Sequence, residues 1–209
     1  MSLVDIAVLL AVTIPSVILH EVAHGWAALR LGDDTAKRRG RLTLNPIAHV
    51  DPVGTLLLPA VMAASGLGVI GYAKPVPVNV GRLRRPRDHA VLVALAGPVT
   101  NITLALAAAV AVRALGGVDV PESGEIGWDA PTVLTVLGVI NLLLALFNLI
   151  PVPPLDGSAV VERALPARWL PSWYRLRRWS MLVVLAVFLF AGVGDLLVDP
   201  VFDVWEVLT

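Results

Sequence analysis

The 209-residue chain contains no cysteine. That excludes disulfides, zinc ribbons and thiol catalysis. Charge is also scarce: 15% of residues are Asp, Glu, Lys or Arg, with 16 basic and 16 acidic side chains. A soluble domain carries about 25% charge. The shortage argues against an ordinary soluble protein, against disorder, and against a nucleic-acid binder with a basic surface. There is no internal repeat, low-complexity tract, phosphate loop or nucleotide fingerprint. What the chain has in abundance is apolar residues, at 57%, and they are clustered.

Residues 52–73, 90–112 and 130–155 each run for more than 20 positions without a charge. A fourth run, 179–194, continues through Leu196, Leu197 and Val198, and the N-terminal run 6–19 resumes after His20 as far as Leu31. A helix crossing a bilayer core needs about 20 apolar residues. One such run could be a buried core helix; four or five predict an all-α polytopic membrane protein. Its length fits one membrane-embedded domain over residues 1–209. The N-terminus does not read as a cleaved signal, because it carries Asp5 and no basic residue before the apolar run.

Charge orients the spans. Basic residues concentrate in 32–51 (Lys37, Arg38, Arg39, Arg41), in 74–89 (Lys74, Arg82, Arg84, Arg85, Arg87) and in 156–178 (Arg163, Arg168, Arg175, Arg177, Arg178). Residues 113–129 and the C-terminal tail are acidic. Three loops are therefore expected on the cytoplasmic side, and one loop and both termini outside. Segment 52–73 conflicts with this if it crosses, since its two basic flanks would then lie on opposite faces. It carries Pro59, Gly66, Gly68 and Gly71, followed by Pro75 and Pro77, which break or turn a helix. Irregular backbone at membrane depth is tolerated where protein or a cavity covers it. The expected fold is four transmembrane helices plus a re-entrant segment around 52–78, with five spans as the alternative.

His20-Glu21-Val22-Ala23-His24 is an H-E-x-x-H pattern. On a helix, positions i and i+4 share a face, so both imidazoles can reach one metal ion, and the glutamate can act as base on a water molecule there. Such groups are expensive inside an apolar helix, which favours a functional role over a polar helix end. Catalytic zinc takes three protein ligands and keeps one position open. The third candidate is Asp156, the carboxylate at the end of run 130–155, where Pro151, Pro153 and Pro154 interrupt the helix and Gly157 permits a turn. The plain alternative is a helix-stop residue. Topology gives a check: His20 and His24 lie ten and six residues before Arg30, about 9–15 Å from that end of the helix. Asp156 returns to the same side only if 52–73 does not cross. Two histidines and a carboxylate suit Zn²⁺ best, with iron or cobalt as alternatives.

The segments 20–24, Ala96-Gly97-Pro98-Val99-Thr100-Asn101 and 148–157 together resemble the site-2 protease family of intramembrane zinc metalloproteases. Arg41-Leu42-Thr43-Leu44-Asn45-Pro46, the stretch from His49 to Thr55, and that from Gly71 to Asn79 resemble a compact bacterial branch of it. The resemblance covers about residues 5–165 and implies one catalytic Zn²⁺ held by His20, His24 and Asp156. It implies Glu21 as general base and Asn148 as a polar group at the substrate or the developing oxyanion. For Asn148 the alternative is an interhelical hydrogen bond. It further implies transmembrane protein substrates, no nucleic acid, and a bacterial plasma membrane with the active site nearer the cytoplasm. Many relatives carry a PDZ or CBS module; the longest loop here, about 23 residues, is too short for either, so a nearly bare catalytic core is expected. The competing function is a non-proteolytic zinc scaffold of the same fold, which would not need Glu21. A metal transporter fits less well, because no second path of intramembrane carboxylates is present.

Other polar residues have structural readings. Asn101, in an apolar run, is expected to bond a neighbouring helix or to orient a ligand. Gly97 and Ala94 would allow close helix approach, and Pro15 would kink the first helix before His20. His49 reads as a loop-structuring residue with a gating role as the alternative, and His89 as interfacial. Trp169, Trp173, Tyr174 and Trp179 alternate with arginines as an interfacial belt.

Overall fold

The computed structural model describes residues 2–51, 73–117, 127–190 and 193–209. All regular structure among the described residues is helical. The principal elements are α1 (Leu3–Leu31), α2 (Thr35–Arg38), α3 (Pro86–Ala114), α4 (Ala130–Leu149), α5 (Ser158–Ala164), α6 (Leu170–Phe190) and α7 (Val193–Leu208). Among the described residues, α1, α3 and α4 are long and apolar enough to cross a membrane. The expected span 179–194 falls on α6 and runs beyond it, and most of the expected re-entrant segment, 52–72, lies outside the described residues.

The helices α1, α3 and α4 each start at a recognisable signal. Ser2 and Asp5 form a reciprocal capping box at α1, with the Asp5 N–H donating to Ser2 Oγ at 3.2 Å. α3 opens with Pro86, and α4 is capped by Asp129, which accepts from the Thr132 N–H at 2.9 Å. The α3 faces show why the bundle belongs in lipid. Val93, Gly97, Asn101, Ala105, Ala108 and Val112 follow helical spacing and are buried. Val99, Ile102, Leu106 and Val110 form the outward stripe, and Val110 is 69% exposed. Water would penalise that stripe; hydrocarbon does not.

The contacts fix the running directions. The Trp128 indole N–H donates to Asp5 Oδ1 at 3.0 Å, so α1 and α4 begin at one end of the layer. Asn141 meets Ser16 halfway along, and Asp156 meets His20 and His24 further on. α1 and α4 are therefore parallel. α3 runs against both, pairing Val93 with His24 and Asn101 with His20.

Residues 32–85 leave and return at the same end. The Arg84 N–H donates to Leu31 O at 3.0 Å, and the Asn79 N–H donates to Asp33 Oδ2 at 2.6 Å. The two described flanks of 52–72 also meet, the Lys74 N–H donating to His49 O at 2.9 Å. Both basic flanks thus share one end, as the charge pattern required. His49 braces this loop: it is buried, and its Nε2 lies 2.9 Å from Thr43 O. Buried Arg41 donates to Ala48 O at 2.5 Å and to Lys74 O at 2.6 Å, clamping the loop to the extended segment 73–79.

At the opposite end, α7 packs on α3 and α4. Val201 and Trp205 are buried with Ala108, Ala109, Val112 and Val139. The Arg113 guanidinium donates to Val207 O at 3.0 Å near the α7 terminus.

Candidate metal centre

The H-E-x-x-H residues occupy the second half of α1, and the i, i+4 relation puts both imidazoles on the buried face toward α3. α4 ends at Leu149, where Pro151 and the prolines after it cannot continue the helical ladder. The chain then turns back tightly: the Gly157 N–H donates to Asn148 O at 2.7 Å and the Ser158 N–H to Leu155 O at 3.0 Å. The φ at Gly157 is an ordinary −57°. Its need for glycine is steric, since a Cβ there would run into the Leu149 carbonyl. This turn carries Asp156 back to the histidines.

The three candidate ligands converge. Asp156 Oδ2 lies 3.2 Å from His20 Nε2 and 3.3 Å from His24 Nε2. The two Nε2 atoms are 3.0 Å apart. Each ring also has its Nδ1 on an acceptor, Asn101 Oδ1 at 2.5 Å for His20 and Val93 O at 2.7 Å for His24. With Nδ1 carrying the proton, each Nε2 presents a lone pair. Two lone pairs and a carboxylate oxygen facing one another repel unless a cation lies between them. Ligands about 2.0–2.1 Å from a tetrahedral Zn²⁺ stand about 3.3 Å apart. The observed 3.0, 3.2 and 3.3 Å separations fit that ion. Asp156 Oδ2 is buried and has no hydrogen-bond donor among the described residues, which is also what a metal ligand requires. The residues present therefore fit a single zinc ion.

Gly97 makes the space. A Cβ there would lie 2.5 Å from His20 Cε1 and from His24 Nε2. The close approach that the sequence suggested is thus an approach of α3 backbone to the imidazoles.

A cavity of ≈ 490 Å³ is lined by His20, Glu21, His24, Asn148 and Asp156, with Val76 on its wall. It extends to Arg87, Glu162, Arg163, Tyr174 and Arg177, at the end that carries the basic loops. Glu21 Oε2 accepts from the Val76 N–H at 2.7 Å, which turns the carboxylate toward segment 73–79. Asn148 Nδ2 donates to Leu144 O at 2.9 Å, so one of its two amide hydrogens is committed within α4.

The model of peptidase family M50 matches residues 7–191. The chain belongs to peptidase family M50, the site-2 protease family. The Bacillus subtilis protein provisionally named zinc metalloprotease YwhC is 38% identical to this M50 chain over 177 residues, covering 84% of the chain and 77% of its relative. Provisionally named zinc metalloproteases Rip2 are also similar. That of Mycolicibacterium smegmatis is 29% identical over 91% of the chain, and that of Mycobacterium tuberculosis strain H37Rv 33% identical over 83%. The matched regions span 66% and 63% of those two proteins. No solved structure matches the chain.

Reading the sequence missed two backbone groups at this centre and two side chains, Asn141 and Ser16, that lie beyond Asn101. Val93 O and the Val76 N–H are backbone groups, and no residue type announces them. Ser16 carries no signal of its own, since a lone serine is common in a membrane helix. Asn141 did carry a signal, since it is an amide in an apolar run just as Asn101 is.

Proposed function

We propose that this protein is an intramembrane zinc metalloendopeptidase that hydrolyses peptide bonds in or near transmembrane segments of other membrane proteins. The observation that carries the reading is the convergence of the His20, His24 and Asp156 ligand atoms within a helix layer, with Glu21 on the wall of the same cavity. The basic loops at the open end favour a cytoplasmic water path in a bacterial plasma membrane.

His20, His24 and Asp156 would hold the ion. Bound there, zinc would lower the pKa of a water molecule and polarise a substrate carbonyl. Glu21 takes the proton from the attacking water and delivers it to the leaving nitrogen. The Val76 N–H keeps Oε2 on the cavity side through this cycle. Asn148 retains one uncommitted N–H for the developing oxyanion.

Substrate helices must unwind to present a carbonyl, and an unwound stretch could lie along segment 73–79 as an added strand. The donors left for such pairing are few. Pro75 and Pro77 have no N–H, while those of Lys74, Val76 and Asn79 bond His49, Glu21 and Asp33. Among the described residues, the N–H groups of Ala73 and Val78 remain.

The test compares wild type with Glu21→Gln in detergent, measuring bound zinc and cleavage of single-span reporter helices. The expected outcome is unchanged zinc and at least about 100-fold slower cleavage, the scale of lost general-base catalysis. Zinc-loaded wild type that cuts nothing across a broad panel would favour the scaffold reading instead.

A further inference from the structure

Beyond the ligands lies a buried polar chain that joins three helices. His20 Nδ1 faces Asn101 Oδ1. Asn101 Nδ2 donates to Asn141 Oδ1 at 2.7 Å. Asn141 Nδ2 donates to Ser16 Oγ at 2.9 Å and to Leu137 O at 2.8 Å. Ser16 Oγ donates to Val12 O at 2.8 Å. Asn101 and Asn141 are fully buried and Ser16 is 1% exposed.

The chain has only one workable direction. It ends on backbone carbonyls, Leu137 O and Val12 O, which can only accept. Asn141 must therefore aim its NH₂ at Leu137 and Ser16, and its Oδ1 at Asn101. Asn101 must then aim its NH₂ at Asn141, which leaves its Oδ1 for His20. An acceptor at His20 Nδ1 places the ring proton there and the lone pair on Nε2. Reversing Asn141 sets donor against donor at Asn101 and acceptor against acceptor at Leu137, and reversing Asn101 sets acceptor against acceptor at Asn141, inside an apolar bundle where an unsatisfied polar group is costly.

We propose that Asn141 and Ser16 are positioning residues for the metal centre, locking the orientation of Asn101 and through it the zinc-binding tautomer of His20. The inference rests on His20 being a zinc ligand. His24 needs no such support, because its Nδ1 is met by the Val93 carbonyl, whose polarity is fixed by covalent structure. The relay also explains why a hydroxyl and two amides on three helices meet at one level of the layer. An arrangement needed only for helix adhesion would not have to end at the imidazole.

The experiment measures zinc affinity by chelator competition, together with the visible spectrum of the Co²⁺-loaded protein and helicity by circular dichroism. Asn141→Leu leaves Asn101 without a fixed acceptor. It should weaken zinc about 10-fold, the lower end for loss of an outer partner of a metal-binding histidine, and should shift the Co²⁺ bands. Ser16→Ala, a gentler change, should shift both in the same direction by less. Asn141→Asp in its neutral form keeps an acceptor for Asn101 and one donor for Leu137 or Ser16, and should lie closer to wild type than Asn141→Leu in both readouts. Val110→Ala, on the exposed outward stripe of α3, touches none of these groups and should leave both unchanged. Folded Asn141→Leu and Ser16→Ala proteins with wild-type affinity and spectrum would overturn the relay while leaving the metal centre standing. Wild type that binds no zinc would overturn the metal centre and the relay with it.

Discussion

The two ends of the three-helix layer are held together by opposite means. At the end bearing the candidate site, α1, α3 and α4 meet through Ser16, Asn101, Asn141, the two imidazoles and Asp156. At the other end, α3 and α4 meet α7 through Ala108, Ala109, Val112, Val139, Val201 and Trp205. Lipid tails are as apolar as leucine, so apolar contacts within a membrane supply packing without choosing one register over another. Hydrogen bonds choose, because each donor has few acceptors within reach. The polar end supplies the geometry a metal ion demands, and the apolar end supplies adhesion. Substitutions at the two ends should therefore separate metal binding from stability.

Gly97→Ala should give the largest separation. The added methyl would stand 2.5 Å from His20 Cε1 and His24 Nε2. Overpacking of this kind costs about 1–3 kcal/mol, and here it displaces the ligand atoms themselves. The expected result is loss of stoichiometric zinc and of cleavage, with helicity close to wild type and the thermal midpoint lowered by several degrees. A Gly97→Ala protein that keeps full zinc would show that the imidazoles stand elsewhere.

Trp205→Ala should do the reverse. A buried Trp→Ala change costs about 3–5 kcal/mol in a soluble core. In a lipid-facing bundle the transfer term shrinks and lost packing dominates, so about 2–3 kcal/mol is expected. Denaturation in detergent should register that loss while the zinc content of the folded fraction stays unchanged. A fall in zinc affinity in proportion to stability would mean that the two ends are coupled.

The sequence carried more of the polar end than of the apolar one. H-E-x-x-H fixes two side chains on one helical face by period alone, and the prolines after Ile150 mark where α4 must stop. Charge balance indicated that the basic flanks share an end, and the Lys74–His49 contact agrees. Asn101 bridges to α4, as its position suggested, and also faces His20. The acidic residues of the tail mask the α7 helix in the sequence. Leu197, Val201, Val204, Trp205 and Leu208 recur at helical spacing, and its buried members follow that period. The contact of Glu21 with Val76 joins positions 55 residues apart through a backbone group. Residue identity specifies neither partner of such a pair until the fold exists.

The smallest expected effect sharpens the comparison at the membrane edge, where a carboxylate rather than an amide does the positioning. Asp33 is buried just beyond α1 and receives the Thr35 N–H at 3.0 Å, the Thr35 hydroxyl, and the Asn79 N–H at 2.6 Å. Burial pushes its pKa up. The bonds from Thr35 and Asn79, with the nearby Arg82 charge, outweigh that and hold the carboxyl below the usual aspartate range. A depressed folded pKa means that the unfolded chain takes up the proton first as pH falls. The Asp33 contribution is therefore complete above the unfolded value of about 3.9 and is lost as pH falls from there through the folded value. It ties Asn79, and so the segment that presents Val76 to Glu21, to the end of α1. Asp33→Asn should lower the thermal midpoint near pH 6 and flatten its decline between about pH 4 and 3 relative to wild type. Parallel curves for the two proteins across that window would mean that other carboxylates drive the acid loss and that Asp33 does not anchor the segment by its charge.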